Sequence, residues 1–278
     1  MEVLRANCAG ACYGVQRALD MALEAVESHE RVCSLGPLIH NPQVVSELQE
    51  KGLSVIDSLD EGDPEVVLVR SHGVAPEVLQ EIDRRGFQLV DATCPHVARA
   101  QRAAAELGAA GCCVLVVGEK GHPEVEGLVA YASQTDAKVV VVADPREIPD
   151  DLYEPVGVVV QTTQKRSALD AVLQELDARG MQPQVKKTIC SATTRRQDSA
   201  AQLASTVDAM VVIGGRNSSN TTRLASICTD ICPRTFHVED VAELQPEWFA
   251  DCGKVGVTAG ASTPESHIVK VEEFLRSL

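Results

Sequence analysis

The sequence predicts an α/β fold made of three similar lobes, and two observations support this. Short runs of β-branched residues alternate with amphipathic stretches of helical length, which is typical of mainly parallel sheets covered by helices. Three cysteines, Cys12, Cys94 and Cys190, each precede a predicted helix and are separated by about a third of the chain. We therefore expect a pseudo-threefold arrangement in which each lobe directs one thiolate towards a shared centre.

The cysteine positions also divide the chain. The predicted lobes cover residues 13–95, 96–190 and 191–278, and the N-terminal segment, residues 1–12, is expected to pack near the centre. A link containing Pro183, over residues 181–185, precedes the third lobe.

Individual strands and helices follow from local patterns. The near-continuous apolar run Val139–Val142 is typical of a strand covered on both faces. Predicted helices cover Val15–Ser28, a segment that begins at Pro95 or His96, and a run from Thr194 to about Val207. The predicted strands are Val66–Val69, Gln88–Asp91, Cys112–Val117, Lys138–Val142, Gly157–Gln161, Ala209–Ile213 and Lys254–Thr258, with a further short strand at Cys33.

Composition excludes several classes of protein. The net charge of −15 and a pI near 4.9 argue against a surface for nucleic acid or anionic membrane. No segment reaches the roughly 18 apolar residues of a membrane span, and no secretory leader is present, so we expect a cytoplasmic protein. In that setting the 10 cysteines are expected to be thiols or metal ligands instead of disulfides.

Most of these cysteines are expected to be structural. Cys33, Cys112 and Cys113 lie in apolar runs, where a free cysteine packs as a small hydrophobe. Cys228 and Cys232 are four residues apart on a predicted helix and could share a ligand, but no second pair at zinc spacing accompanies them. Three thiolates that meet at one point, by contrast, are typical of a metal or cluster with an open fourth position.

Six predicted strands are followed by a small polar motif and then a helix, two motifs in each third of the chain. In parallel sheets such turns gather at the carboxyl ends of strands, where ligands bind and helix N-termini favour anions. One such motif alone is usually an N-cap, but three of the six contain histidine. Together they predict an anion site that uses imidazole, hydroxyl and amide groups. The motifs are Leu38–Pro42, Arg70–Val74, Gly121–Glu124, Gln161–Gln164, Asn217–Thr221 and Ala259–Pro264.

Glu124 is the acid within these motifs. It could be a first-turn glutamate favoured by the helix dipole. Alternatively it is a proton donor in a desolvated centre, where burial would raise its pKa, with Thr162 as a relay to a leaving hydroxyl.

In combination and order, these motifs resemble the 4-hydroxy-3-methylbut-2-enyl diphosphate reductase family, from one end of the chain to the other. The segments that carry the resemblance are Cys12–Val15 with Arg17–Ala18, His40–Asn41, Ser71–Val74, Asp91–Pro95, Gly121–Gly127, Gln161–Thr163, Cys190–Gln197, Asn217–Asn220 and Val257–Ser262.

The resemblance implies a site and a reaction. A four-iron four-sulfur cluster would be held by Cys12, Cys94 and Cys190, and its fourth iron would be open to the substrate. Glu124 and Thr162, with His122, would deliver protons as the substrate's hydroxyl is removed with two electrons, giving isopentenyl and dimethylallyl diphosphate. The substrate's diphosphate would be bound by His40, His72, His122, Thr162, Ser218, Ser219, Asn220 and Ser262. Because no flavin or nicotinamide motif is present, the resemblance implies an external donor such as ferredoxin or flavodoxin.

The chain departs from the family pattern near its start. The family usually has Pro-Arg-Gly-Phe-Cys-Ala-Gly-Val, whereas this chain has Cys8-Ala9-Gly10-Ala11-Cys12-Tyr13-Gly14-Val15. Cys12 occupies the ligand position, and Cys8 is a rival for it.

Three other interpretations remain open at this stage. A non-catalytic cluster protein, such as a redox sensor or electron carrier, would not need the histidine motifs or Glu124. An enzyme with an S-adenosylmethionine-type ligand at the open iron would lack the paired diphosphate motifs. A hydrolytic dehydratase that uses the cluster as a Lewis acid would need no external electrons.

Overall fold

Strands and helices alternate along the whole chain, residues 1–278, all of which the computed structural model describes. The strands are β1 (Glu2–Arg5), β2 (Val32–Leu35), β3 (Leu53–Ile56), β4 (Val66–Val69), β5 (Gln88–Asp91), β6 (Cys113–Val117), β7 (Val139–Val142), β8 (Val156–Val160), β9 (Gln184–Lys186), β10 (Ala209–Ile213), β11 (Thr235–Val238) and β12 (Lys254–Ala259). The α-helices are α1 (Tyr13–Ser28), α2 (Pro42–Glu50), α3 (Pro76–Arg84), α4 (Pro95–Ala109), α5 (Pro123–Ala132), α6 (Arg166–Ala178), α7 (Ser191–Ala204), α8 (Ser219–Ile231) and α9 (Glu265–Ser277).

The strands form three four-stranded sheets, and every pairing within them is parallel. Their orders are β3-β2-β4-β5, β7-β6-β8-β9 and β11-β10-β12-β1. This confirms the predicted α/β class with parallel sheets. Each predicted strand is present to within one residue at either end, since the apolar runs are short and polar or glycine residues bound them.

All three sheets share one order, and it brings the polar motifs together in pairs. The two central strands of each sheet are the pairs β2/β4, β6/β8 and β10/β12. Each of these six strands leads into one of the six motifs, and a helix follows each motif. Neighbouring parallel strands whose helices lie on opposite sides of the sheet leave a crevice at their carboxyl ends. Each sheet therefore has two motifs at the place where α/β proteins bind ligands.

The N-terminal residues supply the fourth strand of the last sheet, which the sequence analysis did not predict. β1 pairs with β12 in parallel, with Val3 opposite Val255. It takes the edge position that β5 and β9 occupy in the other two sheets. As a result each of these three edge strands is followed in sequence by one of the predicted cysteine ligands and then by a helix.

Apolar side chains cover both faces of the sheets that contain β6 and β10. One face of the first packs against α6 through Leu169, Val172 and Leu176, and the opposite face packs against α4 and α5. The central strands β6, β8 and β10 are buried at every position. The run Val139–Val142, for which cover on both faces was predicted, forms the edge strand β7. Its side chains pack against the cores on both faces, but only Val142 is fully buried.

Cysteines predicted to be structural lie in these cores. Cys33, Cys112 and Cys113 are buried free thiols. Cys228 and Cys232 pack with Leu203 and Leu224, and burial raises the pKa of the Cys228 thiol to about 12. A thiol that stays protonated packs as an apolar side chain.

The structure corrects three local predictions. β5 was expected to be apolar, yet it is an edge strand and Leu89 is 42% exposed. The motif Leu38–Pro42 does not directly follow its strand, because β2 ends at Leu35 and Gly36 comes next in a left-handed conformation, with φ of 72°. The expected link at residues 181–185 includes the start of β9, which pairs with β8.

By internal packing the chain divides into two compact units. One comprises residues 1–16, 40–44 and 191–278, and the other comprises residues 17–39 and 45–190. The division into lobes at residues 95 and 190 stays a prediction. No helix in the structure has both the length and the apolar character that a bilayer crossing demands.

An ion-pair network fastens β1 to α9. Arg5 Nε donates to Oε1 of Glu272 at 2.6 Å, and Nη1 donates to Oε1 of Glu265 at 2.6 Å. Glu272 is 8% exposed and Glu265 is 65% exposed. Burial by itself would raise the pKa of Glu272, but hydrogen bonding and charge from Arg5, together with Arg276, hold that pKa below its ordinary value.

We predict that Glu272→Gln lowers the free energy of unfolding by about 1–2 kcal/mol at pH 7, because a charge-assisted bond to a partly buried group is lost. A depressed carboxyl pKa stabilises the fold above the unfolded value near 4.5, and this contribution disappears as the pH falls through the folded value. Urea unfolding of wild type and variant should therefore differ at pH 7 and converge at low pH. Glu265→Gln is the control, with an expected change of about 0.5 kcal/mol or less.

Candidate functional site

One backbone contact recurs at all three predicted cysteine ligands. The N–H of Cys94 donates to the carbonyl oxygen of Ser71 at 3.0 Å, and that of Cys190 to the carbonyl oxygen of Thr162 at 2.9 Å. The N–H of Cys12 donates to the carbonyl oxygen of Ala261 at 3.1 Å. The three acceptors lie in the motifs after β4, β8 and β12, the strands that neighbour β5, β9 and β1. Each cysteine is thus fixed beside a polar motif at the carboxyl edge of its own sheet.

The surroundings of these cysteines suit metal-binding thiolates. All three are partly exposed, whereas the core cysteines are buried. Each directly precedes the first residue of a helix, α1, α4 or α7, where the dipole and unpaired N–H groups favour negative charge. Cys8 differs, because its N–H donates to Oγ of Ser199 at 3.3 Å and it does not precede a helix. The donor set therefore fits three thiolate ligands that include Cys12.

In the unit that contains residues 45–190, Glu124 and Thr162 form a buried pair. Glu124 is 1% exposed. Its carboxylate accepts from the N–H of Thr162 at 2.6 Å and from Oγ1 of Thr162 at 2.9 Å. Because the carbonyl of Thr162 also accepts from Cys190, one residue joins the acid to a predicted cluster ligand.

His122 is oriented by the helix that carries Glu124. It is the N-cap of α5, and its Nδ1 accepts from the N–H of Glu124 at 3.1 Å. Since Nδ1 is the acceptor, the neutral ring carries its hydrogen on Nε2. The ring lies edge-on to His72, with centroids 5.6 Å apart. Two predicted anion ligands from neighbouring motifs are thereby brought together.

In the other unit the predicted ligands surround the ends of β10 and β12. Ser262 Oγ donates to the carbonyl oxygen of His40 at 3.1 Å, and Asn41 Nδ2 donates to the carbonyl oxygen of Ser262 at 2.8 Å. Ser218 caps α8, accepting from the N–H of Thr221 at 3.4 Å. The first two contacts place His40 beside Ser262, and Ser218 follows β10, the strand next to β12.

The amide of Asn220 is available to a ligand. The side chain is 5% exposed, and neither its Nδ2 nor its Oδ1 has a hydrogen-bond partner. A buried amide with both groups unsatisfied is costly in a folded protein unless a ligand completes it. Ser219, next to it in the first turn of α8, is also buried.

Several residues around the site were not predicted from sequence. Asn41 holds Ser262, and buried Arg196 donates through Nη2 to the carbonyl oxygen of Gly10 at 2.6 Å, two residues before Cys12. Gln101 is 4% exposed on α4, and its Nε2 lies against Gly73 and Gly127. A polar residue on the apolar face of a helix that begins at a ligand cysteine was the available signal for Gln101.

Gly73 offers a test of this packing around His72. Its φ is 72°, and an added Cβ would collide with Nε2 of Gln101 and approach Cγ2 of Thr93 to 3.2 Å. Gly86 has nearly the same φ, 73°, with no atom within 4 Å of an added Cβ. The two glycines share a backbone constraint and differ in their surroundings.

We predict that Gly86→Ala lowers the free energy of unfolding by about 1–2 kcal/mol, the cost of a left-handed residue. Gly73→Ala should cost about 1–3 kcal/mol more, because overpacking adds to the same strain. Urea unfolding of the two variants measures the difference. Equal losses would mean that Gln101 does not restrict the His72 loop.

Comparison with known proteins shows the family to which the chain belongs. The family model described as LytB protein matches residues 3–276. A protein of Geotalea uraniireducens (strain Rf4), named 4-hydroxy-3-methylbut-2-enyl diphosphate reductase, is 46% identical over 279 residues, covering 100% of this chain and 98% of the relative. A protein with the same name from Geobacter metallireducens (strain ATCC 53774 / DSM 7210 / GS-15) is 46% identical over 281 residues, with the same coverage.

Solved structures show the same fold. A structure of (E)-4-hydroxy-3-methyl-but-2-enyl diphosphate reductase, described as the terminal enzyme of the non-mevalonate pathway, has a TM-score of 0.73 at 40% identity and full coverage of both chains. The Plasmodium falciparum E-1-hydroxy-2-methyl-but-2-enyl-4-diphosphate reductase has a TM-score of 0.91 at 24% identity, covering 100% of this chain and 87% of that one, and supports the fold alone. With a family model matched over almost the whole chain and relatives this similar along their full length, the chain belongs to the LytB family of 4-hydroxy-3-methylbut-2-enyl diphosphate reductases.

Proposed function

We propose that this chain reduces (E)-4-hydroxy-3-methylbut-2-enyl diphosphate to isopentenyl diphosphate and dimethylallyl diphosphate. The allylic C–O bond breaks, two electrons and two protons are consumed, one proton leaves with the hydroxyl as water, and the other is added to the allyl carbon skeleton. The observation that carries the proposal is that Thr162 is hydrogen-bonded both to the buried acid Glu124 and to the backbone N–H of the predicted ligand Cys190.

The proposed cofactor is one four-iron four-sulfur cluster held by Cys12, Cys94 and Cys190, with a fourth iron that carries no protein ligand. When bound, such a cluster supplies single electrons and a Lewis-acidic iron. The recurring backbone contact, the partial exposure of the thiols and their places before helices support this ligand set.

The residues of the chain have two tasks in this proposal, diphosphate binding and proton transfer. His40, His72, His122 and the amide of Asn220 bind the diphosphate, and Ser218, Ser219 and Ser262 add hydroxyl groups from the same motifs. Nε2–H of His122 is a defined donor, because Nδ1 already accepts from the Glu124 N–H. Holding the diphosphate fixes the hydroxyl end of the substrate relative to the proton source.

Glu124 and Thr162 form the proton path in this proposal. In its protonated form Glu124 donates to Oγ1 of Thr162, whose own hydrogen moves to the departing hydroxyl. In the structure Oγ1 of Thr162 donates to Glu124, so the direction of this hydrogen bond reverses when the protonated acid donates. The separate hydrogen bond from the Thr162 N–H to the carboxyl group keeps the two side chains aligned during that change. Burial of both side chains limits exchange of that proton with solvent.

The electrons come from outside the chain in this proposal. A ferredoxin or flavodoxin in the cytoplasm is the expected donor, and a small allylic diphosphate is the expected partner. An electron carrier or sensor would have no use for the Glu124–Thr162 pair, and a hydrolytic dehydratase would turn over without reductant.

The decisive experiment is anaerobic turnover of the reconstituted protein with the hydroxymethylbutenyl diphosphate and a low-potential reductant. We expect both isoprenoid diphosphates to form only when reductant is present. Glu124→Gln should lower the turnover number about 10²- to 10⁴-fold, the usual contribution of a positioned acid, with the same iron and sulfide content as wild type. Glu126→Gln, an exposed glutamate on the same helix turn, is the control and should keep wild-type turnover. Full activity of Glu124→Gln would remove this residue from the mechanism.

The ligand assignment is tested separately by replacing cysteines. We expect Cys12→Ser to lose most of the iron and sulfide bound after anaerobic reconstitution, as should Cys94→Ser and Cys190→Ser. Cys8→Ser should retain them, because the Cys8 N–H is held by Ser199 and not by the motif after β12. A cluster lost in Cys8→Ser and retained in Cys12→Ser would reverse the assignment.

A further inference from the structure

A guanidinium group without a counter-charge lies at the carboxyl end of the sheet that contains β2 and β4. Arg70 is the first residue after β4, and Gly36 is the first after β2. The last residues of these neighbouring strands, Leu35 and Val69, are register partners. A Cβ on Gly36 would lie 2.7 Å from Nη1 of Arg70. The guanidinium thus rests against the bare α-carbon of Gly36, at the paired ends of the two central strands.

Nothing in the structure neutralises this charge. Nε of Arg70 is buried and has no hydrogen-bond partner. Burial lowers the pKa of Arg70, and no carboxylate opposes that shift. An arginine remains charged at neutral pH even so. Withdrawing part of such a charged group from water lowers stability unless an anion pairs with it.

The position of Arg70 indicates which anion would pair with it. It opens the turn that presents His72, and the N–H of Gly73 closes this turn by donating to the carbonyl oxygen of Arg70 at 3.0 Å. The diphosphate ligands predicted from sequence are histidines, hydroxyls and an amide, without a fixed cation. The chain carries a net charge of −15, so its overall field repels a multiply charged anion. A local guanidinium would offset that repulsion and could bind two phosphate oxygens at once.

We propose that Arg70 is a further binding residue for the diphosphate of the substrate. This inference rests on the proposed function, and it adds a permanent cation to a set of otherwise neutral ligands. Its consequence is that part of the affinity for substrate depends on salt and on one guanidinium, with Gly36 required to leave room for it.

The test is the binding of inorganic diphosphate to the full-length, anaerobically reconstituted protein, measured by calorimetry. We expect Arg70→Gln to weaken this binding about 10- to 100-fold, the usual effect of losing one charge-assisted contact. Arg31→Gln removes the same charge from the opposite end of β2, where Arg31 is 57% exposed and pairs with Asp63, and should change the affinity by about twofold or less. Unchanged affinity in Arg70→Gln would overturn the proposal.

Competition identifies the site. In wild type the allylic diphosphate should displace inorganic diphosphate from the Arg70-dependent site. Binding that depends on Arg70 but persists beside saturating allylic diphosphate would mean a separate anion site and would also overturn the proposal. Because these measurements need no turnover, they stand apart from the activity assay, in which failure would instead count against the proposed reaction.

Unfolding measurements separate a binding role from a structural one. Without ligand, Arg70→Gln should unfold at the same or a higher urea concentration than wild type, because it removes a partly buried charge that has no carboxylate partner. Inorganic diphosphate should stabilise wild type more than this variant. A destabilised variant with an undiminished response to diphosphate would make Arg70 structural.

A substitution at Gly36 moves the guanidinium without changing the charge, and a substitution at Gly52 is its control. Gly36→Ala, with φ of 72°, should displace Nη1 and weaken diphosphate binding. Gly52→Ala introduces a residue at a comparable φ of 104° with no atom within 4 Å of its Cβ, and should leave binding unchanged. Equal diphosphate affinity in these two variants would contradict the placement of Arg70.

Discussion

The hydrogen bond from each predicted ligand cysteine to the motif after the neighbouring strand depends on the parallel order of the sheets. Parallel strands end at one edge, so the residue after an edge strand meets the turn that follows its neighbour. Cys94, Cys190 and Cys12 make this contact with the residues after β4, β8 and β12. The same order places the two motifs of each sheet on adjacent central strands. A thiol, a polar motif and a helix N-terminus therefore lie at the carboxyl edge of every sheet.

The three sheets share this plan, but their motifs carry different residues. The first motif of each sheet supplies His40, His122 with Glu124, or Ser218 with Asn220, and the second supplies His72, Thr162 or Ser262. Equivalent backbone positions thus carry different chemistry. The sheet that contains β6 and β8 has the buried acid Glu124 and its hydroxyl partner Thr162.

The predicted ligands carry less charge than the composition of the chain suggests. The chain is strongly acidic, yet the predicted ligands after the strands are thiols, imidazoles, hydroxyls and an amide, with Arg70 close by and Glu124 buried. Anion binding in such a protein depends on local donors, since the long-range field opposes it. Arg70 Nε and the side-chain amide of Asn220 are two such donors, and neither has a hydrogen-bond partner. Each lowers the stability of the free protein, and a bound anion would recover that stability.

The sequence by itself determined the fold class, eight of the twelve strands, the helices that follow the motifs and the three cysteines, and the residue types of the predicted site. Those features depend on local periodicity, capping and strand length, which neighbours in the sequence specify. Tertiary structure alone decided that β1 pairs with β12, which sets Cys12 and not Cys8 against the last motif. It also decided that Gln101 packs on Gly73 and that Arg70 lies over Gly36. Such contacts join residues far apart in the chain, and their energies depend on burial and register, which no local pattern records.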